Sequence, residues 1–334
     1  MTTNIKKGLA LVIANAEYEH QPKLPSCKKD GLDMKNVLED LHFDVIYGTD
    51  ATRAEMYSTI EKFLKNAELY SVLLVYYAGH GVQIDGENYF VPVDCTYNST
   101  KAIFISTSLV GINVVVDYMS EHPEKTNIMI LDACRSNPGF SRSVVGTGLA
   151  EVKAGSGTLI AFATSPNKEA GGAVDENGNG FYTQCLLANI TRPNIKIEDM
   201  FKAVRKDVIA LTSNEQVPWE NTSLNSDFYF NTMTQDEINE KIYQSMRNLY
   251  RAETLLYLSK MFDYSISDLM RIYEVQKSEK PGGIYIKEKE AFEQFVLERI
   301  LELGFELKNY RWIYKGTPVK MGEFFHNYHN KIKE

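Results

Sequence analysis

No stretch of this 334-residue chain approaches the roughly 20 consecutive apolar residues that span a bilayer, the longest candidate running only from Val72 to Ala78. The expectation is therefore no membrane partner. Met1 to Lys7 are polar, and the apolar run from Gly8 to Ala14 is too short for a signal-peptide core, which predicts a cytoplasmic location. Cysteine is scarce. Cys27, Cys95, Cys134 and Cys185 are scattered without metal-ligand spacing, and a disulfide framework does not suit a large protein kept reduced. One of them is thus available as a nucleophile. Positive charge is also short: 36 Lys and Arg against 44 Asp and Glu leave a net charge of −8. That argues against sequence-independent binding of nucleic acid, whose affinity comes mainly from cations neutralising phosphates. No low-complexity tract or internal repeat interrupts the chain, and its 44% hydrophobic and 24% charged residues are those of a folded protein.

What is present is a regular alternation. Single cores stop growing near about 250–300 residues, so one large domain with an appendage is expected. Strands are predicted at Leu9–Ala14, Phe43–Tyr47, Val72–Tyr77, Asn127–Leu131, Thr158–Ala163 and Asp227–Phe230. Between them lie apolar stripes of helical period. Ser26 is placed to cap a helix carrying Met34, Val37, Leu38 and Leu41. Thr52 and Glu55 form a capping box before Met56, Ile60, Phe63, Leu64 and Ala67. A third stripe runs through Ile197, Met200, Phe201, Val204, Val208 and Leu211, and Asp85-Gly86 marks a hairpin turn. The pattern predicts an α/β fold with a mostly parallel six-stranded sheet flanked by helices, over residues 1–231. After Phe230, a second capping box at Thr234 and Glu237 opens a run of helical patterns, broken at Pro281-Gly282-Gly283. Residues 232–334 are read as a mainly α-helical accessory and regulatory region.

Two short segments carry chemistry. Tyr76-Tyr77-Ala78-Gly79-His80-Gly81 ends one predicted strand, and Leu131-Asp132-Ala133-Cys134-Arg135 ends another. In open α/β sheets the carboxyl ends of strands are where ligands and reacting groups gather, so His80 and Cys134 can meet there. A thiol is mostly protonated at neutral pH, and an adjacent imidazole activates it. Gly79 and Gly81 let backbone approach a substrate, and the amides of Gly81 and Cys134 are placed to face an oxyanion. A caspase signature sets its His about 50 residues before the Cys; here the separation is 134 − 80 = 54 residues.

Residues from Gly8 to about Phe230 resemble a caspase-fold catalytic domain, closest to bacterial caspase-like proteins and metacaspases. The likeness rests on Leu9-Ala10-Leu11-Val12-Ile13-Ala14-Asn15 with Tyr18, Leu24-Pro25-Ser26-Cys27-Lys28-Lys29-Asp30, Tyr77-Ala78-Gly79-His80-Gly81, and Asp132-Ala133-Cys134-Arg135 with Asn137-Pro138. It implies a cysteine endopeptidase with His80 and Cys134 as its dyad. Asp132 stands where caspases carry Gln, and no match is found for the arginines that receive an acidic substrate residue. By the resemblance to metacaspases, Asp30 and Asp132 line a pocket for Arg or Lys, and Cys27 touches it. Two carboxylates favour such a cation by charge-assisted hydrogen bonds. Relatives are often cut in the loop after the nucleophile, which makes Arg142 and Lys153 candidate bonds for self-cleavage. The implied partners are protein or peptide substrates with basic residues, together with an activating protein or small-molecule ligand, in the setting of bacterial stress or antiviral defence. The alternatives are a catalytically inactive signalling or scaffold module and an Asp-specific peptidase. No cofactor and no metal are expected: His326 and His329 have no further ligand nearby, and Asp175-Glu176-Asn177-Gly178-Asn179-Gly180 lacks the last Glu of a calcium loop. Calcium dependence occurs in metacaspase-like enzymes and stays an open alternative.

Overall fold

A computed structural model describes residues 7–96, 106–134, 149, 155–164 and 178–248, parts of 258–273, and the backbone of three short strands between 305 and 319. The chain divides into two compact units, Met1–Asn231 and Thr232–Glu334. In chain order the first holds β1 (Gly8–Ala14), α1 (Pro25–Asp40), β2 (Phe43–Thr49), α2 (Arg53–Ala67), β3 (Val72–Ile84), β4 (Glu87–Phe90), β5 (Val110–Gly111), α3 (Asn113–Glu121), β6 (Thr126–Cys134), β7 (Thr158–Phe162), α4 (Phe181–Ile190), α5 (Ile197–Leu211) and β8 (Trp219–Thr222). The second holds α6 (Gln235–Asn248) and an antiparallel sheet of β9 (Phe305–Lys308), β10 (Arg311–Tyr314) and β11 (Thr317–Val319).

The main sheet runs β2-β1-β3-β6-β7-β8, parallel except for β8, with the β4 and β5 ribbon extending from the end of β3. Every residue of β1 is buried, as a strand covered on both faces requires. Successive side chains alternate between two cores. Ala10, Val12 and Ala14 of β1, Leu74, Tyr76 and Ala78 of β3, and Ile128 and Ile130 of β6 face a core closed by Met34 and Leu38 of α1, Leu186 of α4 and Val204 of α5. Leu11, Val75, Tyr77, Met129 and Leu131 face the other, closed by Ile60 and Phe63 of α2 and Met119 of α3. Each fully buried Leu, Ile or Phe contributes about 1.5–3 kcal/mol, so the two layers hold the central strands firmly. Helix α1 sits close: a Cβ on Gly31 would overlap the Ala14 Cβ.

Local signals mostly survive. The Thr52 and Glu55 capping box forms at the start of α2, Thr234 and Glu237 bond reciprocally ahead of α6, and Asp85 and Gly86 both take positive φ in the β3–β4 turn. Several readings change. Strand β3 does not stop at Tyr77 but runs on through His80 to Ile84, because its last residues pair with β4. Ser26 does not cap α1: Pro25 is the first helical residue, where its missing N–H costs nothing, and Leu24 precedes it without a side-chain bond. The sixth strand is Trp219–Thr222, not Asp227–Phe230. The latter is a loop whose Phe228 and Phe230 enter the α1-side core, while the Phe228 carbonyl accepts from Ile197 N at the start of α5. Helix α3 was not anticipated, and the C-terminal unit adds three strands to the helical reading. Among the described residues, no helix is long and apolar enough to cross a membrane.

Candidate active site

Strand β1 ends at Ala14, opposite Ala78, whereas β3 and β6 stay paired as far as His80 opposite Cys134. The next residue, Asn15, still donates its N–H to the Ala78 carbonyl. Alternate residues of a parallel strand turn their peptide groups to the same side, so those of His80 face a ladder that has run out of β1. Two phenols replace it, together with the Val91 N–H, which donates to the His80 carbonyl at 3.1 Å. The His80 N–H donates to Tyr18 Oη at 2.7 Å, and Tyr77 Oη donates to the His80 carbonyl at 2.7 Å. Gly79 permits both approaches, since a Cβ there would lie 2.6 Å from the Tyr77 oxygen and 2.7 Å from that of Tyr18. The Tyr18 ring also lies against the His80 ring, centroids 4.5 Å apart.

The imidazole is buried. Its Nε2 is 2.8 Å from the Pro22 carbonyl. A carbonyl only accepts, so in the neutral ring the proton sits on Nε2 and the lone pair on Nδ1. Nδ1 is buried and has no hydrogen-bond partner among the described residues. Burial lowers the His80 pKa, partly opposed by the bond to Pro22. The ring is therefore held neutral, with its lone pair on Nδ1. Cys134 closes β6. Its side chain, and residues 135–148, lie outside the described residues. Its backbone register is nonetheless decisive, because positions 128, 130, 132 and 134 share one side of the pleat, the side that α1 and α4 cover. Gly81 follows His80 and sits tight against Ala133 and Leu149: a Cβ would come within 3.0 Å of each side chain.

On that same face lie two carboxylates. Asp30 of α1 accepts from Gly180 N at 2.9 Å and Asn179 Nδ2 at 3.0 Å. Asp132 of β6 accepts from Thr183 Oγ1 at 2.7 Å, and Thr183 Oγ1 is in turn 2.6 Å from Tyr76 Oη. Both acids flank the α-carbon of Gly180, the N-cap of α4: a Cβ there would lie 3.2 Å from Asp30 Oδ2 and 3.7 Å from Asp132 Oδ2. Burial raises the pKa of each, and for Asp30 the neighbouring Asp132 adds to the rise. Among the described residues no Lys or Arg forms an ion pair with either. An incoming positive group would relieve both desolvation and mutual repulsion.

The structure thus brings together four of the residues singled out from sequence, His80, Asp30, Asp132 and the backbone of Cys134. Cys27, buried on α1, is near enough to Tyr18 and Tyr76 to act on both phenols electrostatically. Arg142, Lys153, His326, His329 and Asp175–Asn177 lie outside the described residues; Asn179 and Gly180, at the end of that acidic run, serve as donors to Asp30. Sequence reasoning missed Pro22, Tyr76 and Thr183. Nothing local marks a proline carbonyl as a partner for a histidine 58 residues away, nor a threonine in an apolar helix as a partner for Asp132.

Fold and site together define a class: α/β proteins that carry a His and a Cys opposite one another where the pairing of two parallel strands ends. The family model for the caspase domain matches residues 7–229, and the chain belongs to that family. Over 167 residues it is 29% identical to human mucosa-associated lymphoid tissue lymphoma translocation protein 1, and equally to the mouse homolog. The aligned stretch is 49% of this chain and 19% of either relative, so the chain spans about a fifth of the proteins it matches. At the level of family this is a caspase-like peptidase domain.

Proposed function

We propose that the protein is a cysteine endopeptidase that cleaves after Arg or Lys. The observation that supports it most is the register that sets His80 opposite Cys134 on the face where Asp30 and Asp132 lie, with no Lys or Arg paired to either among the described residues. In this reading His80 Nδ1 takes the thiol proton of Cys134, and the sulfur attacks the carbonyl after the basic residue. The Gly81 and Cys134 amides receive the oxyanion, and His80 returns the proton to the leaving amine. Water then attacks the acyl-enzyme, again with His80 as base, and frees the thiol. The substrate side chain enters between Asp30 and Asp132, with Cys27 beside it. The test is cleavage of peptide reporters carrying Arg, Lys or Asp before the scissile bond, by the wild type and by Cys134→Ala and His80→Ala. Faster turnover of the Asp reporter would overturn the pocket, and substantial activity in either variant would overturn the dyad.

A peptidase cutting at exposed basic residues in the cytoplasm needs restraint. The Thr232–Glu334 unit is proposed as the place where a partner or small ligand relieves it. Within that unit a half-open recess of about 420 Å³ is lined by Gln235, Asn239, Tyr264, Asp268 and Ile272, room enough for a small ligand. Self-cleavage at Arg142 and Lys153 belongs to the same proposal, and mass spectrometry of active enzyme tests it: an intact loop removes it from the mechanism.

A further inference from the structure

We infer that Thr183 is a specificity-positioning residue: from the first turn of α4 it fixes the orientation of the Asp132 carboxylate, so that the pocket prefers the planar guanidinium of Arg to the ammonium of Lys. The inference rests on the reading of Asp30 and Asp132 as the pocket for a basic side chain.

Thr183 is fully buried and cannot touch a substrate. Its hydroxyl has one proton and two lone pairs. The proton goes to Asp132 Oδ2 at 2.7 Å, because an ionised carboxylate only accepts; Tyr76 Oη, 2.6 Å away, must then be the donor to Thr183. One oxygen of the acid is thereby committed to α4, and the carboxylate plane is set by a chain, Tyr76 to Thr183 to Asp132, anchored on two elements. The partner acid is held from the same helix end, through Gly180 N. Two carboxylates fixed in plane suit a rigid fork of N–H donors, whereas an ammonium is a point charge that tolerates a turned acid. Orientation by Thr183 should therefore matter more for Arg than for Lys.

Among the described residues, the other titratable groups about Asp132 are Asp30 of α1, Tyr76 of β3 and Tyr182 of α4. Replacing Thr183 by Val keeps the shape and removes the hydroxyl, which leaves Asp132 harder to ionise and free to turn.

The experiment measures binding of Nα-acetyl-arginine amide and Nα-acetyl-lysine amide to the full chain by calorimetry across pH, for wild type, Thr183→Val, Thr183→Ser and Tyr76→Phe. Calorimetry reads binding directly, without turnover. Thr183→Val is expected to weaken the arginine amide about tenfold, the scale of one lost hydrogen bond to a charged group, and the lysine amide by less. Its binding should also need a higher pH. Thr183→Ser should restore wild-type behaviour, and Tyr76→Phe should fall between. Equal loss for both amides with a lowered melting temperature would make Thr183 merely structural and overturn the inference. Unchanged affinities and pH dependence would overturn it while leaving the basic pocket standing. A wild type that binds neither amide would overturn the pocket itself, and this inference with it.

Discussion

His80 is held from three directions: its amide by Tyr18, its carbonyl by Tyr77 and its ring by Pro22. Removing the Tyr18 hydroxyl leaves a buried N–H without an acceptor, a cost of about 1–3 kcal/mol that falls on the peptide carrying the proposed base. Tyr18→Phe is therefore expected to lower both the melting temperature and kcat, the latter by about tenfold for each 1.4 kcal/mol lost in the transition state. A variant with full kcat in steady-state assays would show that the clamp does not bear on turnover. Asp30 and Asp132 make a different prediction. Their pKa values are raised in the folded protein, so the folded state holds protons that the unfolded state has released. Their unfavourable contribution is absent below the ordinary carboxylate value of about 4 and grows as pH rises through the raised values. Asp132→Asn should therefore leave stability unchanged or raise it by about 1–3 kcal/mol at pH 8, with little effect at pH 4, while abolishing cleavage of Arg reporters. Chemical denaturation at the two pH values checks it, and a loss of stability larger at pH 8 than at pH 4 would contradict the account.

At the scale of elements, the site depends on how closely α1 lies on β1. Gly31 is the point of contact, where any side chain would overlap the Ala14 Cβ, and Asp30 is its neighbour. Gly31→Ala is expected to cost about 1–3 kcal/mol by overpacking and to raise KM for Arg reporters more than it lowers kcat, because Asp30 moves with the helix while His80 does not. Circular dichroism melts and initial-rate kinetics separate the two effects; a lower kcat at unchanged KM would place the strain elsewhere. Elements with strong periodicity or capping chemistry, α2 and α5 above all, were legible in the sequence because their determinants lie within a few residues of one another. β8 was not. Trp219-Glu220-Asn221-Thr222 is half-buried and mostly polar, an edge strand made by pairing with β7, whereas the aromatic Asp227–Phe230 run looks like a strand and instead plugs the core.

For the molecule as a whole, the question is whether the unit Thr232–Glu334 governs the unit Met1–Asn231. The latter contains both hydrophobic layers about the main sheet and every residue assigned to the chemistry. Deleting residues 232–334 is expected to leave a folded domain that is either constitutively active or deaf to the activator. Reporter assays with and without the activator check it, and an unchanged basal rate with an unchanged response would make the second unit purely structural.

The sequence by itself determined the α/β alternation, the position of the central strands and the segments that carry His80 and Cys134, since a hydrophobic period and a motif are properties of consecutive residues. Only the tertiary structure decided which strands are neighbours and in what register. That register puts positions 80, 132 and 134 on one side of the sheet, and it brings Pro22 to His80, Gly180 to Asp30 and Thr183 to Asp132. These partners are 58, 150 and 51 residues apart. Their meeting is fixed by sheet order and by the seating of α1 and α4 against one core, which no local pattern encodes.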